Sequence, residues 1–303
     1  MKLTIQTPAK INLFLEITGK RPDGYHNLES IMQTVSLYDE LDFELAEEIQ
    51  LRITNYELRE TSELPTDDNN IIIKAVKALQ ETFNIQKGVK ITLKKNIPLG
   101  AGLGGGSSDA AATINALVKL WDIKTEKDEL NKIAARLGAD VAFFLTGGTA
   151  LCEGIGEIIT QLRITNYEST TKPETHKLSL VLVNPGFGVP TPSVYKKVRL
   201  PFTNPQKIGK IKNLIESCHC EGQSPEAIQS SLKEDLFNRL EDFVLGDYPE
   251  IRKIKDVLIS LGCASLMSGS GATVFGIYDK SKEQEIKTEL EKYNWKFWFV
   301  ETI

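Results

Sequence analysis

A glycine-rich loop is the part of the sequence best suited to bind an anion. Residues 98–109 contain five glycines and end in Ser107, Ser108 and Asp109. Glycine permits positive φ angles and lets a ligand approach the backbone closely. The last three residues are common N-caps, and apolar residues follow at helical spacing, so we expect a helix to begin where the glycines end. That helix would present unpaired N–H groups and a partial positive charge to a phosphate group.

The spacing of the glycines also fits a dinucleotide-binding fingerprint. Its three glycines match Gly100, Gly102 and Gly105, and Asp122 lies at about the distance of the acid that binds a ribose. In a Rossmann fold that acid ends a second strand, whereas Asp122 follows the helix and precedes a polar, helix-forming stretch. A P-loop would need a lysine directly after the last glycine, and Ser107 stands there. A nicotinamide-dependent dehydrogenase is therefore an alternative that only the glycine spacing favours.

Lys10 and Asn12 form a second candidate site. They alternate with Ile11 and Leu13, so the period of a β-strand projects an ammonium and an amide side by side, opposite the apolar residues. Taken alone, this pattern favours the solvated face of an edge strand. The functional alternative is that the two polar groups act together.

Asp140 heads an apolar run just after Gly138, and two roles fit it. Capping a short helix is the commoner role for an aspartate in this position. A general base is the alternative, because it needs a carboxylate within reach of a hydroxyl. The two roles are compatible.

Tyr25 and His26 end a polar turn that begins at Gly19. An exposed Tyr–His pair usually has no function. Its possible use is recognition of a base, in which the tyrosine stacks on the ring and the histidine forms a hydrogen bond to the ring edge.

The composition is that of a globular protein with one large or two ordinary domains. The chain has 303 residues, 41% of them hydrophobic, and a formal net charge of −5. This charge disfavours nucleic acid and anionic membranes as partners, so an anionic ligand would need local charge and backbone dipoles. We expect a cytoplasmic protein, because the first residues lack the apolar core of a signal peptide and four cysteines suit a reducing compartment. Cys218, His219 and Cys220 lack a second ligand pair, so we treat them as incidental.

The predicted elements place the glycine loop between a strand and a helix. Strands are predicted at 3–7, 11–17, 31–45 (with a candidate turn at 37–40), 89–94, 178–183 and 296–301, and helices at 71–79, 110–121, 125–137, 249–261 and 282–293. A polar stretch at 168–177 predicts two domains, 1–165 and 166–303. The second half alternates helices with strands, which indicates an antiparallel or mixed sheet covered by helices.

Three further segments are less regular. The prolines at 185–192 predict a rigid loop that presents Thr191 and Tyr195. Residues 201–231 are hydrophilic with weak helical patterning, so we expect them to be peripheral. The octapeptide Gln-Leu-Arg-Ile-Thr-Asn-Tyr-Glu occurs at both 50–57 and 161–168. Its alternation suits a strand in both places, and we have no physical account of the identity.

Three separated segments resemble one superfamily, the galactokinase, homoserine kinase, mevalonate kinase and phosphomevalonate kinase group. They are residues 8–13, 98–111 and 268–272. Within that group, residues 8–41 with their Tyr–His turn are similar to the kinases of diphosphocytidyl methylerythritol, which serve non-mevalonate isoprenoid biosynthesis. The resemblance implies an α+β two-domain small-molecule kinase fold. Its N-terminal domain would be ribosomal-S5-like and bind ATP, and its C-terminal domain would be a ferredoxin-like α+β domain on the substrate side.

The resemblance also implies a reaction, the transfer of the ATP γ-phosphoryl group to the 2-hydroxyl of the methylerythritol unit. Lys10 and Asp140 match the family's catalytic lysine and aspartate. Asp140 would take the hydroxyl proton, and Lys10 would position the hydroxyl and offset charge on the transferring group. Mg²⁺ is expected to ride on ATP and to keep several waters. The alternative is a homoserine- or mevalonate-type kinase, which the Tyr–His turn argues against.

The binding residues follow from the same resemblance. The nucleotide positions are Asn70, Lys95, Pro98, Leu99, Gly100, Ala101, Gly102, Leu103, Gly104, Gly105, Gly106, Ser107 and Ser108. The positions for the cytidyl substrate are Asn12, Tyr25, His26, Thr191, Pro192 and Tyr195. Among these, the two tyrosines would lie on either side of the cytosine, and Asn12 would reach the erythritol end.

Overall fold

The computed structural model describes residues 2–54, 64–162, 177–199 and 235–303. The chain divides into two compact units that alternate along the sequence. Unit 1 comprises Met1–Ala9, Leu37–Leu99 and Gly104–Gly147, and unit 2 comprises Lys10–Ser36, Gly100–Leu103 and Gly148–Ile303. The long strands β1 (Lys2–Lys20) and β2 (His26–Ala46) contribute residues to both units. The predicted division at 165/166 lies outside the described residues and stays a prediction.

In unit 1, a group of paired strands is accompanied by helices. Its strands are β3 (Ile49–Thr54) and β4 (Gly88–Lys94), which pair in parallel, and β4 also pairs antiparallel with residues 40–46 of β2. The helices are α1 (Ile71–Phe83), α2 (Gly105–Leu120), α3 (Lys127–Leu137) and α4 (Ala139–Thr146). Helix α2 contacts the other three. The predicted strand at 89–94 and helices at 71–79 and 125–137 are confirmed.

Two local predictions in unit 1 are wrong. Helix α2 begins at Gly105, inside the glycine run, because Gly104 with a left-handed φ of 69° is its N-cap. The predicted cap residue Asp109 lies within the helix and binds Lys95 instead. The candidate turn at 37–40 is part of continuous β2, because the Asp39 carboxylate is buried and accepts from the backbone N–H groups of Asn96 and Ile97, just after β4.

In unit 2, the strands belong to two sheets, and the unit has an apolar core. In the first sheet, residues 28–33 of β2 pair with β5 (Thr149–Gly154), β5 pairs with β6 (Ile158–Gln161), and β1 pairs in parallel with β8 (Phe237–Asn238). The second sheet is antiparallel, with the strand order β11 (Lys296–Glu301), β7 (Ser179–Asn184), β10 (Val274–Ile277) and β9 (Ala264–Met267). The helices are α5 (Thr191–Lys197), α6 (Glu241–Val244), α7 (Pro249–Ser260) and α8 (Glu283–Leu290).

The core of unit 2 confirms the predicted antiparallel sheet covered by helices. Buried residues of β7 and β10, such as Val181 and Val274, form one cluster with Ile251, Ile254 and Leu258 of α7. These apolar positions recur at the periods of a strand and a helix, which is why the sequence pattern detected both. The predicted helices at 249–261 and 282–293 are observed with shorter bounds, and the predicted strand at 296–301 is confirmed with the same bounds.

Several sequence features lie partly or wholly outside the described residues. These are residues 201–231, the Cys218–Cys220 cluster, and most of the second octapeptide copy. The first copy begins within β3, as its alternation predicts. In the ranges that the structure covers, every helix is too short or too polar to cross a lipid bilayer.

Candidate active site

Lys10 and Asn12 are buried polar residues of β1, 4% and 1% exposed. The interpretation as a solvated edge face is therefore wrong, because the backbone at Gly269 lies against both side chains. Lys10 Nζ donates to Asn12 Oδ1 at 2.6 Å, and Asn12 Nδ2 donates to Ser30 Oγ at 2.8 Å. Ser30 Oγ in turn donates to the carbonyl of Phe14 at 2.7 Å. This chain of hydrogen bonds fixes the orientation of the amide, which presents its oxygen to the ammonium.

The tip of the glycine loop, Gly100–Leu103, belongs to unit 2, and all four of its carbonyl oxygens accept hydrogen bonds there. The donors, in order along the tip, are Val189 N at 3.1 Å, Thr273 N at 3.2 Å, Ser268 Oγ at 2.9 Å and Lys10 N at 2.9 Å. These carbonyl oxygens already have hydrogen-bond donors within the protein. The arrangement therefore suits the predicted phosphate loop.

Gly102 allows the tip to approach the turn between β9 and β10. Its φ is 76°, a conformation that L side chains rarely adopt. A Cβ at this position would overlap the carbonyl oxygen of Ser268 and lie 3.2 Å from that of Gly271. A substitution at Gly102 would therefore displace the tip from this turn.

The remaining loop residues lie in unit 1. Pro98 and Leu99 precede the tip, Gly104 caps α2, and Gly105–Ser108 form the first turn of that helix. Asn70 caps α1, since its Oδ1 accepts from Ile72 N at 2.8 Å. Nucleotide binding by these residues stays a prediction.

Lys95 lies in a fully buried charge cluster of unit 1. Its ammonium donates to the carboxylates of Asp39 and of Asp109, the latter at 2.8 Å. Thr7 Oγ1 donates to the second oxygen of Asp109 at 2.9 Å. All three charged side chains are at most 2% exposed. The predicted nucleotide residue Lys95 therefore uses its side chain to join β4, β2 and α2 around the base of the glycine loop.

The cluster has one ammonium for two carboxyl groups. Burial raises the pKa of Asp109 to about 7 from its ordinary 3.8; the ammonium of Lys95 opposes this rise, and the charge of Asp39 adds to it. The pKa of Lys95 is raised too, because the two carboxylates outweigh its burial. A neutral Asp109 can still accept from Lys95 and Thr7.

The raised pKa of Asp109 predicts a pH-dependent stability. The folded state retains this proton up to about pH 7, whereas the unfolded state loses it near its ordinary pKa of 3.8. The stability that this proton contributes is therefore fully present below pH 3.8. It is lost as the pH rises through about 7. Asp109→Asn cannot ionise, so we expect it to gain stability relative to the wild type as the pH rises from 5 to 8, measured by urea unfolding.

A control for this prediction is Asp122→Asn. Asp122 is an exposed carboxylate whose pKa is lowered by the hydrogen bond from Lys124 and by the positive charge of Lys124. Its variant should differ from the wild type by a constant amount between pH 5 and 8. A constant difference for Asp109→Asn as well would contradict the assigned pKa.

Asp140 is the second residue of α4 and is partly exposed. Gly138 is the N-cap of that helix, so the capping interpretation of Asp140 is wrong. Its carboxylate still lies in the first helical turn, where the helix dipole favours a negative charge. The general-base role stays a prediction.

The predicted base-recognition residues lie in unit 2. Tyr25 is 62% exposed, whereas His26 is buried and packs on the ring of Tyr195 with centroids 5.5 Å apart. Burial lowers the pKa of His26, and the positive charge of Lys20 lowers it further. At neutral pH His26 is therefore uncharged and offers one donor and one acceptor.

The predicted rigid loop at 185–192 is non-helical up to Pro190, and its last two residues begin a helix. Pro190 is the N-cap of α5, and Thr191 and Pro192 form its first residues, because proline suits the first turn. The hydroxyls of Thr191 and Ser270 are hydrogen-bonded at 2.7 Å. Ser270 was not among the predicted site residues, although its glycine–serine turn was part of the family resemblance.

Comparison with known proteins identifies the family. Residues 70–148 match the family described as "GHMP kinases N terminal domain", and residues 215–295 match "GHMP kinases C terminal". Both matches confirm the α+β two-domain kinase fold.

Individual relatives agree over almost the whole chain. The "4-diphosphocytidyl-2-C-methyl-D-erythritol kinase" of Syntrophus aciditrophicus is 43% identical over 93% of each chain. The protein with the same name from Clostridium beijerinckii is 40% identical over 98% of this chain and 99% of its own. A solved "4-(cytidine 5'-diphospho)-2C-methyl-D-erythritol kinase" superposes with a TM-score of 0.76 at 30% identity and 99% coverage of both chains. These matches do not favour the dehydrogenase or the sibling kinases, and the chain belongs to the 4-diphosphocytidyl-2-C-methyl-D-erythritol kinase family of the GHMP kinases.

Proposed function

We propose that the protein phosphorylates the 2-hydroxyl of 4-diphosphocytidyl-2-C-methyl-D-erythritol with ATP, giving the 2-phosphate and ADP. The observation that carries the proposal is the identity of 43% over 93% of both chains to a kinase of that name. The buried Lys10–Asn12 pair and the glycine loop support it, because they supply a cation and an anion-binding backbone.

In the proposed reaction, Asp140 accepts the proton of the 2-hydroxyl. The substrate oxygen forms a bond to the γ-phosphorus as the bond from that phosphorus to the β–γ bridging oxygen breaks, and ADP leaves. General-base catalysis of this kind contributes about 10²- to 10⁴-fold. Lys10 would stabilise charge on the transferring group. Its burial strengthens that effect, because water screens a buried charge poorly.

MgATP enters as the donor substrate, with its triphosphate at residues 98–108. The loop tip supports this assignment because its four carbonyl groups are already bonded within unit 2. Asn70 and Lys95 would lie near the nucleotide. Because the ammonium of Lys95 is held by two carboxylates, we propose that its side chain supports the loop and carries no direct phosphate contact.

The cytidyl group would bind to Tyr25, His26, Thr191, Pro192 and Tyr195. The contact between the tilted rings of His26 and Tyr195 supports this proposal, since it places two of these residues side by side. An uncharged His26 suits a neutral base edge, which offers both donors and acceptors.

A substrate panel tests the function. Purified protein with MgATP should release ADP rapidly with diphosphocytidyl methylerythritol and at background rate with homoserine or mevalonate. Faster release with either of these alcohols would move the assignment to a sibling kinase.

Tyr25→Ala should mainly impair binding of the cytidyl substrate. Stacking on an aromatic side chain contributes about 1–3 kcal/mol per base, so we expect KM for this substrate to rise roughly 5- to 150-fold. KM for ATP should hardly change. Because Tyr25 is 62% exposed, its loss should not destabilise the fold. Tyr25→Phe retains the stacking face and serves as the matched control; an equal rise in both KM values for Tyr25→Ala would show that Tyr25 does not contact the base.

A further inference from the structure

Asn238 is a buried residue of unit 2 whose side-chain amide is fully engaged. It is 2% exposed and ends β8, the short strand that pairs with β1. Its Nδ2 donates to the carbonyls of Met267 and Gly269, each at 2.7 Å, and its Oδ1 accepts from Leu240 N at 2.9 Å. The amide thus uses both its donor hydrogens and its oxygen. These hydrogen bonds link the turn after β9 to β8, the neighbour of β1.

The turn that Asn238 holds lies directly beside Lys10 and Asn12. A Cβ built on Gly269 would lie 3.4 Å from both Lys10 Nζ and Asn12 Oδ1. The same turn bonds the tip of the glycine loop through Ser268, as described above. The backbone at Gly269 therefore lies next to the buried ammonium of Lys10.

A second side chain from the same segment supports this turn. Glu241 Oε1 accepts from the backbone N–H of Met267 at 2.8 Å, and its other oxygen accepts from Lys255 at 2.5 Å. Asn238 and Glu241 are three residues apart and bind carbonyl and N–H groups of one short stretch. The position of the turn is therefore set by side chains from a distant part of the chain.

We propose that Asn238 is a positioning residue for phosphoryl transfer, which holds the turn at Gly269 against Lys10 and Asn12. The inference rests on the proposed function, in which Lys10 acts on the transferring group. Removing the amide would leave two buried carbonyl oxygens without their donor, so the turn would shift. A displacement on the order of 1 Å can lower a rate by about 10²-fold.

Asn238→Ala in the full-length protein is the first test. We expect kcat to fall about 10- to 100-fold, while KM for ATP and for the cytidyl substrate change less than about threefold. A larger change in kcat than in either KM is expected because Asn238 would act on an interaction made in the transition state. Asn238→Ser retains one donor, so its kcat should fall less than that of the alanine variant. If the alanine variant fails to fold, the serine variant provides the test.

Gln33→Ala is the matched control for a structural effect. Gln33 is a buried amide of unit 2 with the same number of hydrogen bonds: it donates to the carbonyls of Thr34 and Ile303 and accepts from Thr149. Its loss should lower Tm about as much as Asn238→Ala does, with kcat unchanged. If kcat falls equally in both variants, Asn238 has only a structural role and the inference is wrong.

A double-mutant cycle with Lys10→Met gives the sharpest result. If Asn238 acts through Lys10, Asn238→Ala should change kcat little in the Lys10→Met background. A full additional loss in that background would overturn the inference and leave the proposed function intact. An inactive wild type would overturn the proposed function, and this inference with it.

Discussion

Asp140→Asn is expected to lower kcat by about 10²- to 10⁴-fold while ATP binding stays nearly unchanged. Asparagine has the shape of aspartate but cannot accept the hydroxyl proton. Asp140 lies in the first turn of α4 and does not cap it, so the isosteric change should leave the helix in place. The measurements are single-turnover rates with saturating substrates and the Kd of ATP from titration calorimetry.

The matched control for this variant is Asp128→Asn, which changes another first-turn aspartate, in α3. Both variants lose a favourable interaction with a helix dipole, worth about 0.3–1 kcal/mol. Only Asp140→Asn should lose turnover. A near-normal rate for Asp140→Asn would contradict the general-base assignment.

Lys10→Met is expected to lower kcat by about 10²- to 10³-fold, the range found when a positioned group that stabilises transition-state charge is removed. Methionine keeps much of the lysine stem and fits the buried site, but it offers no charge. Asn12 Oδ1 also loses the donor that lies 2.6 Å away. The measurement is kcat and both KM values, with Tm recorded to exclude unfolding.

A suitable control is Lys2→Met on the same strand. Lys2 forms an exposed ion pair with Asp42, so its loss should change neither kcat nor Tm appreciably. If Lys10→Met retains a rate within a few-fold of the wild type, the buried ammonium does not serve the reaction.

The parts of the fold that the sequence predicted are those with local causes. Helix α1 has its N-cap Asn70 and its buried face within one short segment, and β4 alternates cleanly. The incorrect predictions concern residues whose conformation depends on hydrogen-bond partners elsewhere in the sequence. Asp109 resembles an N-cap, but Lys95 binds it from the preceding strand. Asp39 resembles a turn residue, but it accepts bonds from residues 57 and 58 positions away.

In the candidate site, too, the sequence predicts features with local causes and misses those that depend on distant residues. The glycine loop and Lys10 lie in local motifs, so a single sequence suffices to single them out. Lys10 is buried beside the turn at Gly269, which lies more than two hundred residues further along the chain. Asn238 follows a long hydrophilic stretch and belongs to none of the sequence motifs that indicate the site. Only the structure brings its amide to the turn beside Lys10.

The most direct test of phosphoryl transfer is ³¹P NMR of the products formed from MgATP and diphosphocytidyl methylerythritol. Phosphoryl transfer to the 2-hydroxyl predicts equimolar ADP and one new phosphomonoester, attached to the methylerythritol unit at its 2-position, with the cytidyl diphosphate intact. ADP with inorganic phosphate in place of the phosphomonoester, or a phosphoryl group at another position, would contradict it.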